Sequence, residues 1–355
     1  MADSTVANRL ADDAALDFVL ALRRRWADTL YPHLREEFDA AVPGGGARDP
    51  LAIADAVHAL PAYGWFAWLE RGSQKMLWYA VGDAVKGSGA AVAASAASGP
   101  ASVKLDPDLK LPAWYTDWDI HVQPGGIWRD DSSALTYELG AKLVMLGEND
   151  DYRFHHLLVE TAVPQREYRR IVDLGCGFGK STWPFKKMFP QADVIGIDFA
   201  APCLRLAAQR ANERGLAIEF RQANAAATGL EPASVDLVAS TMFVHEVPVD
   251  VLPQVFAECA RVLAPGGVLR FLDFQRTGDA FRDLAMMEHG ARNNEPYMPP
   301  MLAADLVDMA QRAGLVNVRW TAFDERSAGR LGALSWPARS EWHFPWAVLE
   351  AEKPA

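Results

Sequence analysis

The chain has 355 residues, half of them hydrophobic and 23% charged, with a formal net charge of −11 and a pI near 5.2. That length suits one large or two medium domains with a sizeable core. The acidic balance excludes the basic stripe of a phosphate-tracking nucleic-acid binder. Cys176, Cys203 and Cys259 are scattered without CxxC spacing, which favours a reducing interior over a disulfide framework. The opening MADSTVANRLADD lacks a basic segment followed by an apolar one, and no apolar run reaches membrane-span length. A soluble cytoplasmic protein with no membrane partner is expected.

In chain order, residues 13–41 place Leu16, Phe18, Val19, Leu22, Trp26 and Leu30 at helical spacing, and Pro32 should kink or divide that helix. Pro43-Gly-Gly-Gly46 is a break, and residues 51–59, 62–71 and 73–86 read as short helices. Residues 87–101 are small and featureless, fitting a flexible linker or an Ala-rich helix equally well. Residues 1–108 are expected to form a helical accessory domain, serving homodimerisation or packing only on its own core.

Residues 109–165 read as a connector or lid. Within it, LPAWYTDWDIHVQPGGIWR (111–129) crowds Trp114, Tyr115, Trp118, His121 and Trp128 around a Pro-Gly-Gly turn. Polar groups among aromatics make either a packed domain junction or the wall of a small-molecule pocket. Residues 132–161 then read as helices.

From residue 166 to the end the pattern alternates strand and helix, implying a parallel sheet covered on both faces. Strands are expected at 170–174, 193–197, 217–221, 235–239, 267–273, 316–322 and 344–350. Helices are expected at about 179–189, 200–214, 249–263 and 302–313. The first strand runs into Asp173-Leu-Gly-Cys-Gly-Phe-Gly179, with glycines at alternate positions before a helix start. Such a turn is a cradle for a ligand approaching backbone amides. A P-loop is excluded because the loop is one residue short at Leu174, and the dinucleotide fingerprint fails at Lys180.

Asp173–Gly179 resembles the first motif of class I S-adenosylmethionine (SAM)-dependent methyltransferases. The resemblance continues through Val194-Ile-Gly-Ile-Asp198, Ser234-Val-Asp-Leu-Val238 and Arg261-Val-Leu-Ala-Pro-Gly-Gly267, four motifs in the right order. It implies an α/β fold, a Rossmann-like seven-stranded methyltransferase sheet with a helical N-terminal domain, and S-adenosyl-L-methionine as cofactor. It also implies that Asp173 orders the loop and that Gly175, Cys176, Gly177 and Gly179 meet the methionine part. Asp198 would accept from the ribose hydroxyls, with Phe199 stacking on adenine. Asn224 and Ala225 fall at the adenine-amino contact, where many members carry Asp, and Thr241 and Met242 lie where methyl donor and acceptor meet.

Hydroxyl or weakly acidic acceptors need a base. His121 ranks first and His245 second, with Asp119, Glu246 and Asp273 behind them, and Tyr115 is a further candidate. Trp118, Trp128, Tyr137, Arg292, Asn293 and Tyr297 are candidate substrate contacts. No histidine spacing forms a metal set. The expected reaction is methyl transfer to a small-molecule O, N, S or C acceptor. Two alternatives stand beside it: a lyase or cyclase releasing methylthioadenosine and a cyclic amino acid, and a SAM-binding regulator without turnover.

Overall fold

A computed structural model describes residues 2–88, 99–149 and 152–355. Helix α1 (Ala2–Arg25) continues into α2 (Tyr31–Ala41) through a π-helical turn at Trp26–Leu30. Pro32 lacks the N–H that an uninterrupted helix needs, and the wider turn just before it absorbs the defect. Trp26, Tyr31, Leu34 and Phe38 keep one face buried across the junction. After α3 (Ala54–His58) comes α4 (Tyr63–Ser88), a single helix of 26 residues where two had been expected. Phe66, Leu77, Trp78, Val81 and Val85 are buried along one face. Their burial outweighs the roughly 1 kcal/mol cost of Gly72 inside a helix. The linker-or-helix alternative for 87–101 falls largely on residues 89–98, which lie outside the described residues.

The middle of the chain supplies β1 (Ser102–Lys104), α5 (Ala113–Thr116), α6 (Asp131–Val144) and α7 (Arg153–Ala162). Asp130 caps α6 by accepting the Ser133 N–H at 2.8 Å. The alternating part follows as β2 (Arg170–Leu174), α8 (Trp183–Met188), β3 (Asp193–Asp198), α9 (Ala201–Glu213), β4 (Ile218–Gln222), β5 (Val235–Thr241) and α10 (Leu252–Val262). It ends with β6 (Leu263–Phe274), α11 (Ala280–Arg292), α12 (Met298–Ala303), α13 (Leu306–Arg312), β7 (Val316–Asp324), β8 (Gly329–Arg330) and β9 (Trp346–Glu352).

The strands form one sheet in the order β1-β4-β3-β2-β5-β6-β9-β7-β8. All seven expected strands lie in its middle, with β1 added in parallel beside β4 and the two-residue β8 at the far edge. Strands β4, β3, β2, β5 and β6 are parallel, whereas β9 runs antiparallel between β6 and β7. Strand β2 has β3 on one side and β5 on the other, so the order reverses there. A crevice opens outside the carboxyl ends of strands at such a switch point.

The accessory helices share a buried cluster with the sheet domain, joining Trp26, Phe38 and Phe66 to Phe281, Trp342 and Trp346. Phe38 stacks on Phe281 at 5.0 Å and Trp26 on Phe66 at 5.2 Å. Helix α4 thereby walls the same sheet end where β2 and β5 terminate.

Candidate active site

At the switch point a cavity opens between the tips of β2, β3 and β5 and the aromatic segment. Nine residues expected at the cofactor line it: Gly175, Cys176, Gly177, Asp198, Phe199, Asn224, Ala225, Thr241 and Met242. Gly175 has φ +67°, and a Cβ there would stand 2.6 Å from the Phe243 ring. Gly177 has φ +51°, and its Cβ would meet Tyr137 at 3.2 Å. Both glycines are needed for the turn and for the space above it.

Asp173 and Gly179 lie behind this wall. Asp173 Oδ2 accepts the hydroxyls of Ser181 at 2.6 Å and Thr182 at 2.7 Å, tying the far end of the loop to the strand. Burial pushes its carboxyl up to about 7 against those two donors. Gly179, at φ +92°, leaves room for the Trp183 ring. Asp198 accepts the Gly177 N–H through one oxygen and the Ala200 N–H through the other, both at 2.8 Å. Burial raises it to about 6. Asn224 Oδ1 accepts the Ala226 N–H at 2.8 Å, so the oxygen proposed for adenine is already engaged in its own turn. Trp114 and Tyr115 pack against Phe199 at 6.0 and 5.2 Å.

A second chamber adjoins the first and shares Tyr137, Lys180, Met242 and Glu246 with it. Its apolar wall includes Trp78, Met145, Phe274, Phe344 and Trp346, and its polar groups include His245, His121, Glu295 and Gln74. Met242 stands at the junction with φ +57°, a left-handed conformation that is costly for a side chain other than glycine. His245 is buried, and its Nδ1 lies 2.7 Å from Asp273 Oδ1. Asp273 Oδ2 also accepts the N–H groups of Phe243 at 3.0 Å and Val244 at 2.9 Å. Burial lowers the His245 pKa, but Asp273 together with Glu246 and Glu295 more than compensates and holds it above the ordinary 6.5. Its Nε2 lies 3.9 Å from Glu246 Oε1, and both residues line the chamber.

His121 is a different case and corrects the expectation that it leads as base. Its Nδ1 lies 2.8 Å from Glu295 Oε1 and its Nε2 3.1 Å from Glu246 Oε1. Burial opposes the charge, yet the two carboxylates raise the ring to about 10, so it is an imidazolium with no free lone pair at neutral pH. It clamps Glu246 and Glu295, and its carbonyl accepts from Gln74 and Trp78 of α4. Tyr115 lines the cofactor cavity, but its buried hydroxyl has no partner among the described residues and burial keeps it protonated.

The candidate substrate contacts divide. Tyr137 borders both cavities, while Trp118 and Trp128 line a smaller pocket beside them with Tyr115 and His121. Arg292, Asn293 and Tyr297 line none of these. Arg292 pairs with Glu70 and Glu288, Asn293 Nδ2 donates to the His289 carbonyl, and the Tyr297 hydroxyl donates to the Trp114 carbonyl. These groups join α11 and its following loop to α4 and the aromatic segment, which corrects their assignment to the acceptor.

Sequence reasoning missed Lys180, treating it only as a break in a nucleotide pattern. Its ammonium lies 5.1 Å from the Tyr137 ring centre, and burial lowers it to about 8. Its place directly after the glycine loop was the available signal. Trp78, Phe344 and Trp346 carried none, because each belongs to an ordinary apolar stripe. Among the described residues, no cluster of three His, Cys, Asp or Glu could hold a metal ion.

Residues 171–267 match a family model described as a methyltransferase domain. A demethylmenaquinone methyltransferase of Thermus thermophilus is 35% identical over 141 residues, spanning 40% of this chain and 62% of that protein. A trans-aconitate 2-methyltransferase of Paracidovorax citrulli is 43% identical over 121 residues, 32% of this chain and 42% of that protein. The chain therefore spans less than two thirds of either relative's length. A solved structure of Haemonchus contortus phosphoethanolamine N-methyltransferase 2 with S-adenosyl-L-methionine aligns over 64% of this chain and 58% of its own, at TM-score 0.45 and 15% identity. That distant likeness carries no argument about the site. The matched residues, with the four ordered motifs and the switch-point crevice, make this part of the chain similar to a methyltransferase domain.

Proposed function

We propose that this chain transfers a methyl group from SAM to a small-molecule O, N, S or C acceptor. The carrying observation is the pair of cavities meeting across Met242, Glu246, Lys180 and Tyr137, with the glycine loop in one and the His245–Asp273 pair in the other. SAM, when bound, supplies a methyl carbon activated by positive sulfur. The chain's residues fit it: Gly175 and Gly177 leave backbone exposed, Asp198 offers carboxylate lone pairs to a diol, and Trp114, Tyr115, Phe199 and Tyr137 present aromatic surface to a cation. His245 Nε2 takes the acceptor's proton, while Asp273 stabilises the imidazolium that forms. The aromatic walls keep water out, and Lys180 meets negative charge at the junction.

The named relatives act on a quinone precursor and on trans-aconitate. Planar or acidic small molecules are thus the first acceptors to screen. Purified protein is incubated with SAM alone and with such a panel, and products are read by mass spectrometry. S-adenosylhomocysteine that forms only with an acceptor supports the proposal. Methylthioadenosine from SAM alone supports the lyase or cyclase reading, and tight SAM binding without either product supports a regulator.

For assembly, we infer a homodimer through α4. Its exposed Trp65, Trp68, Met76 and Tyr79 are spaced symmetrically about Gly72, where an added Cβ would meet nothing. Two copies crossing antiparallel at Gly72 would set Trp65 against the partner's Tyr79 and Trp68 against the partner's Met76, a self-complementary two-fold contact. Sedimentation should give a dimer that Trp68→Glu converts to monomer. A monomeric wild type at tens of micromolar sinks this inference.

A further inference from the structure

The cofactor cavity is short of positive charge. Asp198 and Glu246 bring carboxylates to it, but among the described residues that line it the only lysine or arginine is Lys180. Lys180 follows the last glycine of the loop and keeps accessible surface between Gly179 and Ser181, which are both buried. Its side chain borders the cofactor cavity and the second chamber alike. The ammonium nitrogen makes no hydrogen bond among the described residues, and it is not sealed from solvent.

Aromatic faces hold this ammonium, not an acid. It lies 5.1 Å from the Tyr137 ring centre and 5.4 Å from that of Phe178. Glu246 acts on it through space, but the two do not meet as an ion pair. Glu246 Oε1 lies instead 3.1 Å from His121 Nε2. Burial lowers Lys180 to about 8, so it is still mostly charged at neutral pH. A half-buried cation with rings around it has given up hydration without gaining an anion, and a bound carboxylate removes that cost.

The position of Lys180 indicates which carboxylate. Asp198, Phe199 and Asn224 border the cofactor cavity and not the second chamber, whereas Lys180 stands at the boundary with Tyr137, Met242 and Glu246. The two sides meet at Gly177. Its N–H goes to Asp198 at 2.8 Å, and a Cβ on it would stand 3.2 Å from the Tyr137 ring against which Lys180 rests. With the ribose diol on Asp198 and adenine on the Phe199 and Asn224 side, the amino-acid end of SAM leads toward the boundary. That end carries the molecule's one carboxylate.

We propose that Lys180 is the carboxylate-binding residue of the cofactor cavity, its ammonium donating to the α-carboxylate of SAM and of the product S-adenosylhomocysteine. The assignment rests on the methyltransferase reading above. It adds the group by which the chain tells the intact cofactor from a decarboxylated one. A carboxylate on the acceptor is the other source of the same charge, and the test separates the two.

The full chain is titrated calorimetrically with S-adenosylhomocysteine and with its decarboxylated analogue, which keeps the ammonium. Wild type should bind the intact molecule about ten- to hundredfold more tightly, the range for a charge-assisted hydrogen bond. Lys180→Met should remove that preference by weakening the intact molecule alone. Its unchanged binding of the analogue would show that the variant folds. Lys180→Arg should keep part of the preference. In a crystal of wild type with S-adenosylhomocysteine the carboxylate should accept from Lys180 Nζ, a readout that needs no variant. Equal binding of the two molecules by wild type, a full preference in Lys180→Met, or a carboxylate seated on other groups overturns the proposal. A full preference in Lys180→Met together with lost turnover only on carboxylate-bearing acceptors would give the lysine to the acceptor instead. If neither molecule binds wild type, the methyltransferase reading falls and takes this assignment with it, whereas binding without preference removes the assignment alone.

Discussion

Replacing Asp273 by asparagine keeps the side chain's shape and removes its charge. In the structure Oδ2 accepts from Phe243 and Val244 at 3.0 and 2.9 Å, while Oδ1 accepts the Phe274 N–H at 2.8 Å and holds His245 Nδ1 at 2.7 Å. Asparagine has only one acceptor oxygen. If that oxygen keeps Phe243 and Val244, the amide nitrogen faces His245 Nδ1 and donates to it. The imidazole must then carry its proton on Nε2, the nitrogen that should act as base. The Phe274 N–H also loses its acceptor, at a cost of about 1–3 kcal/mol. Loss of a full charge beside a buried imidazolium is worth about one to three pKa units, or ~1.4–4 kcal/mol. Asp273, together with Glu246 and Glu295, now holds His245 above 6.5, whereas burial by itself would lower it. NMR of ring-labelled protein reads both quantities without any acceptor. Wild-type His245 should titrate above 6.5 with a neutral Nδ1–H tautomer, and Asp273→Asn should titrate below 6.5 as the Nε2–H tautomer. Turnover should rise with pH through the wild-type pKa and fall about 10³–10⁴-fold in the variant, the scale known for a wrong-tautomer histidine. An unchanged tautomer, or a wild-type ring titrating below 6.5, refutes the assignment of His245 as base.

Asp198→Ala should weaken SAM binding by about 1.5–3 kcal/mol, from lost charge-assisted hydrogen bonds and a loosened Gly177 amide; unchanged calorimetric affinity would move the cofactor elsewhere. Gly175→Ala should reduce SAM affinity and lower the melting temperature, since its Cβ meets the Phe243 ring at 2.6 Å and φ is +67°. Wild-type behaviour in both assays would mean that the loop relaxes freely. The His121 clamp has a folded pKa of about 10, above the ordinary 6.5, so its stabilisation is complete below 6.5 and is lost as pH rises through 10. His121→Asn should flatten that part of the stability–pH curve in chemical denaturation, and an unflattened curve would place the ionisation elsewhere.

Much of this was written locally. The strand ending in Asp173, the alternate glycines and Asp198 are a contiguous pattern whose meaning depends on turn geometry and on one neighbouring strand. Their spacing pointed to a ligand cradle, and their resemblance to methyltransferase motifs implied the cofactor and the seven-stranded sheet. Chain-order strands of period two and helices of period 3.6 likewise reveal themselves over ten residues. The two short helices expected at 62–71 and 73–86 show the limit, because Gly72 looks like a break until the apolar face on both sides is seen to share one partner.

Assigning chemistry to the histidines needed the tertiary structure. In sequence His121 ranks ahead of His245 as base, and what separates them in the fold lies in residues far along the chain: Glu295 and Glu246 pair with the first, whereas Asp273 holds the second. Arg292 looked like a substrate anchor until the fold brought it against Glu70, 222 residues away. Sequence by itself showed the strand–glycine turn–helix cradle, which depends on backbone conformation set by adjacent residues, and its resemblance to methyltransferase motifs implied the cofactor. Tertiary structure decided which groups are charged, which are engaged and which face a cavity. Those properties depend on burial and on partners that the chain brings together only when folded.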